Sequence, residues 1–160
     1  FILDFLMQKI YNYYPLKSDK MIDYPNLVKV VENARFEFYE ELTYDGINFL
    51  LFPGEHTEEE KEDGIQPIFY NISSVADWDI YFSTNVVPED FKRAVLLHEI
   101  VEITIFCKFR SDSGLTYQES LEKAHNLAIK YDQRYAGETL SKERFQKYLL
   151  LREKLMDFSF

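Results

Sequence analysis

PEDFKRAVLLHEIVEITIFCK, the stretch Pro88–Lys108, predicts a long helix around which the rest of the fold is organised. In Ala94–Phe106 the side chains are almost all apolar, and a helix that is apolar all round is normally buried. His98, Glu99 and Glu102 lie within that run. Because a buried carboxylate without a partner is strongly disfavoured, these residues need either a counter-charge or a metal ion. The stretch therefore predicts both the central helix of the core and the position of a polar site.

The composition indicates one folded domain spanning residues 1–160. Hydrophobic residues make up 46% of the chain and aromatic residues 17%, which excludes general disorder and provides for a sizeable core. The net charge of −10, from 18 basic and 28 acidic residues, disfavours binding to nucleic-acid phosphates. The same charge suits a basic protein partner, although many proteins are acidic for solubility alone.

Cysteine usage and hydropathy predict a cytoplasmic protein. Cys107 is the single cysteine, so no internal disulfide can form, and we interpret it as a buried thiol. The apolar start Phe1–Ile10 is interrupted by Asp4 and Lys9 and lacks a small-residue cleavage site, which favours a core helix over a signal peptide. No apolar run approaches the roughly 20 residues that cross a membrane, so we expect no membrane contact.

The first half of the chain predicts two helices followed by a small sheet. Apolar residues at helical spacing indicate helices at Phe1–Tyr14 and Asn26–Asn33, and Pro25 suits the first turn of the second. Asp45-Gly46 is a strong hairpin signal. Strand patterns occupy four segments, Arg35–Phe38, Ile47–Phe52, Pro67–Ile72 and Asp79–Thr84.

The second half predicts three helices. After the Pro88 helix, Thr116 and Glu119 form a capping-box pattern that opens another long helix, with Gly137 as its stop. A last helix covers Ser141–Met156. The predicted buried stripe of the middle helix is Tyr117, Leu121, Ala124, Ala128, Tyr131 and Tyr135. This order predicts an α+β fold in which N-terminal helices and three C-terminal helices pack a small antiparallel β-sheet.

His98 and Glu102 are four residues apart, so they share one face of the predicted helix and can reach a single ion. Glu99 follows His98 directly, about 100° further round the helix. Zinc hydrolases use this geometry, with two ligands one turn apart and a glutamate that takes a proton from water.

The pentapeptide His98-Glu99-Ile100-Val101-Glu102 resembles the His-Glu-x-x-His motif of the zincins and departs from it at Glu102. The resemblance covers this helix and its immediate neighbours. It implies a zinc-dependent peptidase acting on a peptide or protein substrate, with Glu99 as the general base. It also implies a zincin-like fold, in which an edge strand, here Asp79–Thr84, lines the substrate cleft.

With Glu102 in place of the second histidine of that motif, the resemblance requires another imidazole from further along the chain. His125 lies on the inward face of the next predicted helix, which returns antiparallel and can bring it back to His98. His98, Glu102 and His125 would then bind zinc and leave a fourth position for water. Glu122, one turn before His125, could orient a metal-ligating side chain by a hydrogen bond without touching the ion itself.

The same residues also fit two other hypotheses. His98 and His125 could hold a purely structural ion. They could also form a metal-free hydrogen-bond network with Glu99, Glu102 and Glu122. In that case Arg93, Arg110 or Arg134 would neutralise the acids.

A rival function belongs to a different class, a non-enzymatic inhibitor-type or immunity-type protein that binds a basic partner. It would use exposed tyrosines and the acidic segment Gly54–Gly64, which we expect to be a charged, mobile loop. His56, within that segment, is expected to be a solvated surface histidine, although it could also serve as an alternative third ligand.

Overall fold

The computed structural model describes residues 21–55, 57–59, 68–72, 77–112 and 114–157, and the side chains among them except those of 68–72, 112 and 155–157. The predicted helix Phe1–Tyr14, His56 and most of the acidic segment lie outside the described residues.

The architecture is α+β, as the sequence predicts. Four helices are described, α1 (Tyr24–Glu32), α2 (Lys92–Asp112), α3 (Tyr117–Thr139) and α4 (Lys142–Asp157). A single 3-10 turn, Glu89–Phe91, leads into α2. Four strands form the sheet, β1 (Glu40–Tyr44), β2 (Ile47–Gly54), β3 (Ile68–Ile72) and β4 (Asp77–Ser83). Among the described residues, none of the helices has the length and apolar character that a membrane crossing requires.

The sheet is mixed, so the prediction of an antiparallel sheet is wrong. Its spatial order is β1-β2-β4-β3, with β2 and β4 parallel and the two outer pairs antiparallel. Between the parallel strands β2 and β4 the chain passes through β3, so the two are joined by a crossover rather than a hairpin turn, as parallel pairing requires. In the sheet, β4 lies between β2 and β3. The edge strand on that side is β3, and the expectation that Asp79–Thr84 forms an edge is also wrong.

The segment before β1 is not the strand that the sequence predicts, whereas the predicted hairpin turn is confirmed. Phe36 has a φ of 61°, and the amides of Arg35 and Phe36 donate to the Glu40 carboxylate, so the predicted strand Arg35–Phe38 is a tight loop. Asp45 and Gly46, with φ of 51° and 75°, form the turn between β1 and β2. Positive φ at both positions matches the twist of a two-residue hairpin.

The core lies between one face of the sheet and the helices. Alternate residues of β2 and β4, including Phe49, Leu51 and Ile80, are completely buried. Trp78 of β4 meets Phe106 of α2 edge to face, with ring centroids 6.2 Å apart. α2 is thus covered on one side by the sheet, and on another it packs along α3.

Helix α3 begins as predicted and differs further along. Thr116 and Glu119 make both hydrogen bonds of a capping box. Tyr117 is 60% exposed, so its place in the predicted buried stripe is wrong. Gly137 is not a stop, because α3 continues to Thr139. The Phe145 ring of α4 lies 3.6 Å from the position that a Cβ on Gly137 would take, which makes this glycine a packing contact.

Candidate metal centre

Three side chains from α2 and α3 bring one donor atom each to a common point. His98 Nε2 lies 2.9 Å from Glu102 Oε2 and 3.3 Å from His125 Nδ1. His125 Nδ1 lies 3.0 Å from the same Glu102 oxygen. The sequence prediction that His125 returns to the His98–Glu102 face is confirmed at the level of these distances.

The triangle of donor atoms has dimensions close to those of a metal site. A tetrahedral zinc ion with bonds of about 2.0–2.1 Å holds its ligand atoms roughly 3.3–3.4 Å apart. The observed separations of 2.9–3.3 Å are slightly shorter, because the three groups also form hydrogen bonds with one another. All three residues are buried, and together they could hold a metal ion.

Local helix geometry and close helix packing produce this triangle. His98 and Glu102 are adjacent on one face of α2 because they are one turn apart. On α3, His125 is next to Ala124 and one turn before Ala128, and both alanines are completely buried. Small side chains at a helix contact let the two axes approach closely, which brings the imidazole within reach of α2.

The charge state of the donors reflects their mutual contacts. Burial alone would raise the pKa of Glu102, but hydrogen bonds from His125 and His98 outweigh it and hold that pKa well below its ordinary value. Burial and the Arg152 charge lower the pKa of His98, while the nearby carboxylates of Asp132 and Glu102 outweigh them and raise it to about 9. At neutral pH the metal-free centre therefore contains an ionised carboxylate beside a protonated imidazole.

A second buried layer, absent from the sequence prediction, lies behind His98. Asp132 Oδ2 is 3.6 Å from His98 Nδ1, the ring nitrogen that faces away from the donor triangle. The Tyr148 hydroxyl donates to the same carboxylate oxygen at 2.5 Å, and Arg152 Nε lies 2.7 Å from it. Asp132 is two turns after His125 on α3, so helical spacing could have indicated it. The helical pattern of Ser141–Met156 predicts that Tyr148 faces inward, and Arg152 lies one turn after it, but no sequence signal linked either residue to the centre.

Glu99 occupies a different environment from the donor residues. As a residue it is less buried than His98, Glu102 and His125. Burial of its carboxyl group, followed by the charge of Glu102, raises the pKa of Glu99 to about 7. A carboxyl group with such a pKa can both take up and release a proton near neutral pH.

Several residues proposed from the sequence lie elsewhere. Glu122 is exposed and accepts a hydrogen bond from Gln118, so the prediction that it supports a ligand is wrong. Arg93, Arg110 and Arg134 bind the Ala34 carbonyl, the Leu115 carbonyl and the Glu138 carboxylate. The arginine beside the buried acids is Arg152 instead. Cys107 is only half-buried, and burial raises the pKa of its thiol.

Comparisons of the chain with protein-family models, with curated proteins and with solved structures give no match. The function proposed below therefore depends on the geometry of the described side chains.

Proposed function

We propose that this chain is a zinc-dependent, zincin-like hydrolase that cleaves peptide bonds. The observation that carries the proposal is the buried triangle of His98 Nε2, Glu102 Oε2 and His125 Nδ1, with sides of 2.9–3.3 Å. Two imidazoles and one carboxylate are the protein ligands of several catalytic zinc sites, which keep a fourth position for water or substrate. The donors come from two packed helices, a rigid frame that suits a preorganised site.

The proposed roles are those of the zincin motif, which His98-Glu99-Ile100-Val101-Glu102 resembles. Held by His98, Glu102 and His125, a zinc ion would supply Lewis acidity and would lower the pKa of bound water. The carboxylate of Glu99 accepts the proton of the attacking water as oxygen bonds to the peptide carbonyl carbon. Glu99 then gives this proton to the amide nitrogen as the C–N bond breaks, so one peptide and one water become a carboxylic acid and an amine. Glu99 is less buried than the three donor residues, which supports this role because a general base must meet both water and substrate.

The test compares the wild-type protein with Glu99→Gln and uses Glu122→Gln as a matched control. Both variants exchange an acid for its amide, but Glu122 is exposed and outside the centre. Each zinc-loaded protein is incubated with a peptide library, and the products are read by mass spectrometry. We expect Glu99→Gln to bind zinc normally and to lose activity by about 10²-fold or more, the usual contribution of a general base. Cleavage by Glu99→Gln at the wild-type rate would contradict the assignment.

A non-enzymatic function, binding of a basic partner, is the second candidate. Phe38 is 79% exposed and Tyr39 is 49% exposed, and the Tyr39 hydroxyl donates to the Glu41 carboxylate. Exposed aromatic side chains beside acids suit a cationic surface. In this case capture of the partner would weaken with added salt and would not respond to chelators. Loss of partner capture on chelation would contradict it.

A further inference from the structure

The cluster Asp132, Tyr148 and Arg152 joins the C-terminal helix to the proposed metal centre. Asp132 is 0% exposed, Tyr148 0% and Arg152 3%. Burial of an aspartate and an arginine is costly and is tolerated only where both are paired. The cluster lies directly behind a proposed ligand, which gives it a position from which it can act on metal binding.

We infer that Asp132 is a positioning residue for His98, and that Tyr148 and Arg152 make helix α4 an energetic part of the metal site. This inference rests on the proposed function, because it assigns a role in binding zinc. A ligating histidine usually donates its second ring N–H to a carboxylate or carbonyl, which fixes the ring and its tautomer. Asp132 stands at that position, since its Oδ2 faces His98 Nδ1 while His98 Nε2 faces Glu102 and His125.

The present separation of 3.6 Å between His98 Nδ1 and Asp132 Oδ2 is longer than a hydrogen bond. A shift of the imidazole by about 0.8 Å would convert it into a charge-assisted hydrogen bond. Asp132 cannot easily swing away from the ring, because the Tyr148 hydroxyl and Arg152 Nε both contact its Oδ2. The side chain that would hold His98 is therefore itself held by two residues from α4.

This arrangement makes metal binding and the docking of α4 reciprocal. If contacts from α4 improve zinc binding through Asp132, zinc must stabilise the docking of α4 by the same factor. Helix α4 supplies no proposed ligand, so a purely local metal site would leave the free energy of locally opening α4 unchanged.

The experiment measures zinc affinity by chelator competition for wild type, Asp132→Asn and Tyr148→Phe. Tyr24→Phe is the matched control, because Tyr24 also donates to a carboxylate, that of Glu138 at 3.0 Å, away from the centre. We expect the Kd for zinc to rise about 10–100-fold in Asp132→Asn, the usual effect of losing such a partner, and less in Tyr148→Phe. In Tyr24→Phe it should stay at the wild-type value.

Amide hydrogen exchange provides a readout that a merely structural role would not change. In zinc-saturated wild type, the α4 amides that exchange by local opening should exchange more slowly than in the metal-free protein, and in zinc-saturated Asp132→Asn they should not. If Asp132→Asn does not fold, the milder Tyr148→Phe decides by the same two measurements. Wild-type zinc affinity in folded Asp132→Asn or Tyr148→Phe would overturn this inference and leave the proposed function standing. A wild-type protein that binds no zinc would overturn the proposed function and this inference with it.

Discussion

Glu102 shows how an acid can be accommodated in an apolar helix. It is 6% exposed, and one of its oxygens lies within 3.0 Å of a nitrogen from each of His98 and His125. Burial disfavours the charged carboxylate, but the two imidazoles stabilise it and keep the pKa of Glu102 low. The residue is thus already in the ionised form that a metal ion requires.

Removal of one ligand should abolish tight zinc binding. His125→Ala leaves two donors, so we expect stoichiometric zinc, about one ion per chain, to be lost. Elemental analysis after gel filtration would measure it. His56→Ala is the control, since three donors meet without His56, and it should retain zinc. Equal zinc content in both variants would contradict the ligand assignment.

The titration of His98 should give opposite pH trends with and without zinc. Its pKa of about 9 lies above the ordinary value, so protonated His98 stabilises the metal-free fold below about pH 6.5. That contribution is lost as the pH rises through about 9. Zinc must displace the same proton, so zinc affinity should rise over this window.

Denaturant unfolding of the metal-free protein and zinc titration across this pH range would measure both trends. Zinc affinity independent of pH would contradict a role for His98 as a ligand.

At the scale of helices and strands, the sequence predicted the features that depend on residues close together in the chain. His98 and Glu102 face one way because one helical turn separates them. Asp45 and Gly46 form the hairpin turn because Asp-Gly pairs tolerate the positive φ that both positions require. The contact of Asp132 with Arg152 depends on which face of α4 meets α3. Periodicity predicts the inward face of α4, but it does not reveal which residues of α3 that face meets.

Substitution of two glycines by alanine should have opposite effects on stability, because one lies at a contact between helices and the other in a turn with positive φ. In Gly137→Ala the new methyl group would make an ordinary contact with Phe145 at 3.6 Å. Alanine is the better helix former, so we expect a gain of about 0.5–1 kcal/mol in unfolding free energy. Gly46→Ala should instead destabilise the hairpin, because Gly46 has a φ of 75°.

Urea unfolding midpoints would show the two opposite signs. Destabilisation by Gly137→Ala would contradict the packing described between α3 and α4.

At the scale of the whole molecule, sequence predicted the α+β class but not the strand order. Alternation along Ile47–Phe52 and Asp79–Thr84 predicts which faces are buried, whereas it does not say which strands are neighbours. The parallel pairing of β2 with β4 joins strands that are not consecutive in the chain. An antiparallel sheet would have given the same alternation, so the sequence pattern does not predict the strand order.

Zinc should stabilise the whole fold if the centre binds it. At a free zinc concentration of 100 times Kd, the expected stabilisation is about 2.7 kcal/mol, because the unfolded chain lacks the preformed triangle. Thermal unfolding with zinc, with a chelator and with the His125→Ala variant would measure it. An unfolding temperature that does not respond to zinc would favour the non-enzymatic candidate.

The most direct measurement is anomalous X-ray diffraction at the zinc edge from crystals of the zinc-treated protein. We expect one strong peak within about 2.0–2.2 Å of His98 Nε2, Glu102 Oε2 and His125 Nδ1. The metal centre would be contradicted if crystals grown with excess zinc showed no peak at that point while the three atoms were still in mutual contact.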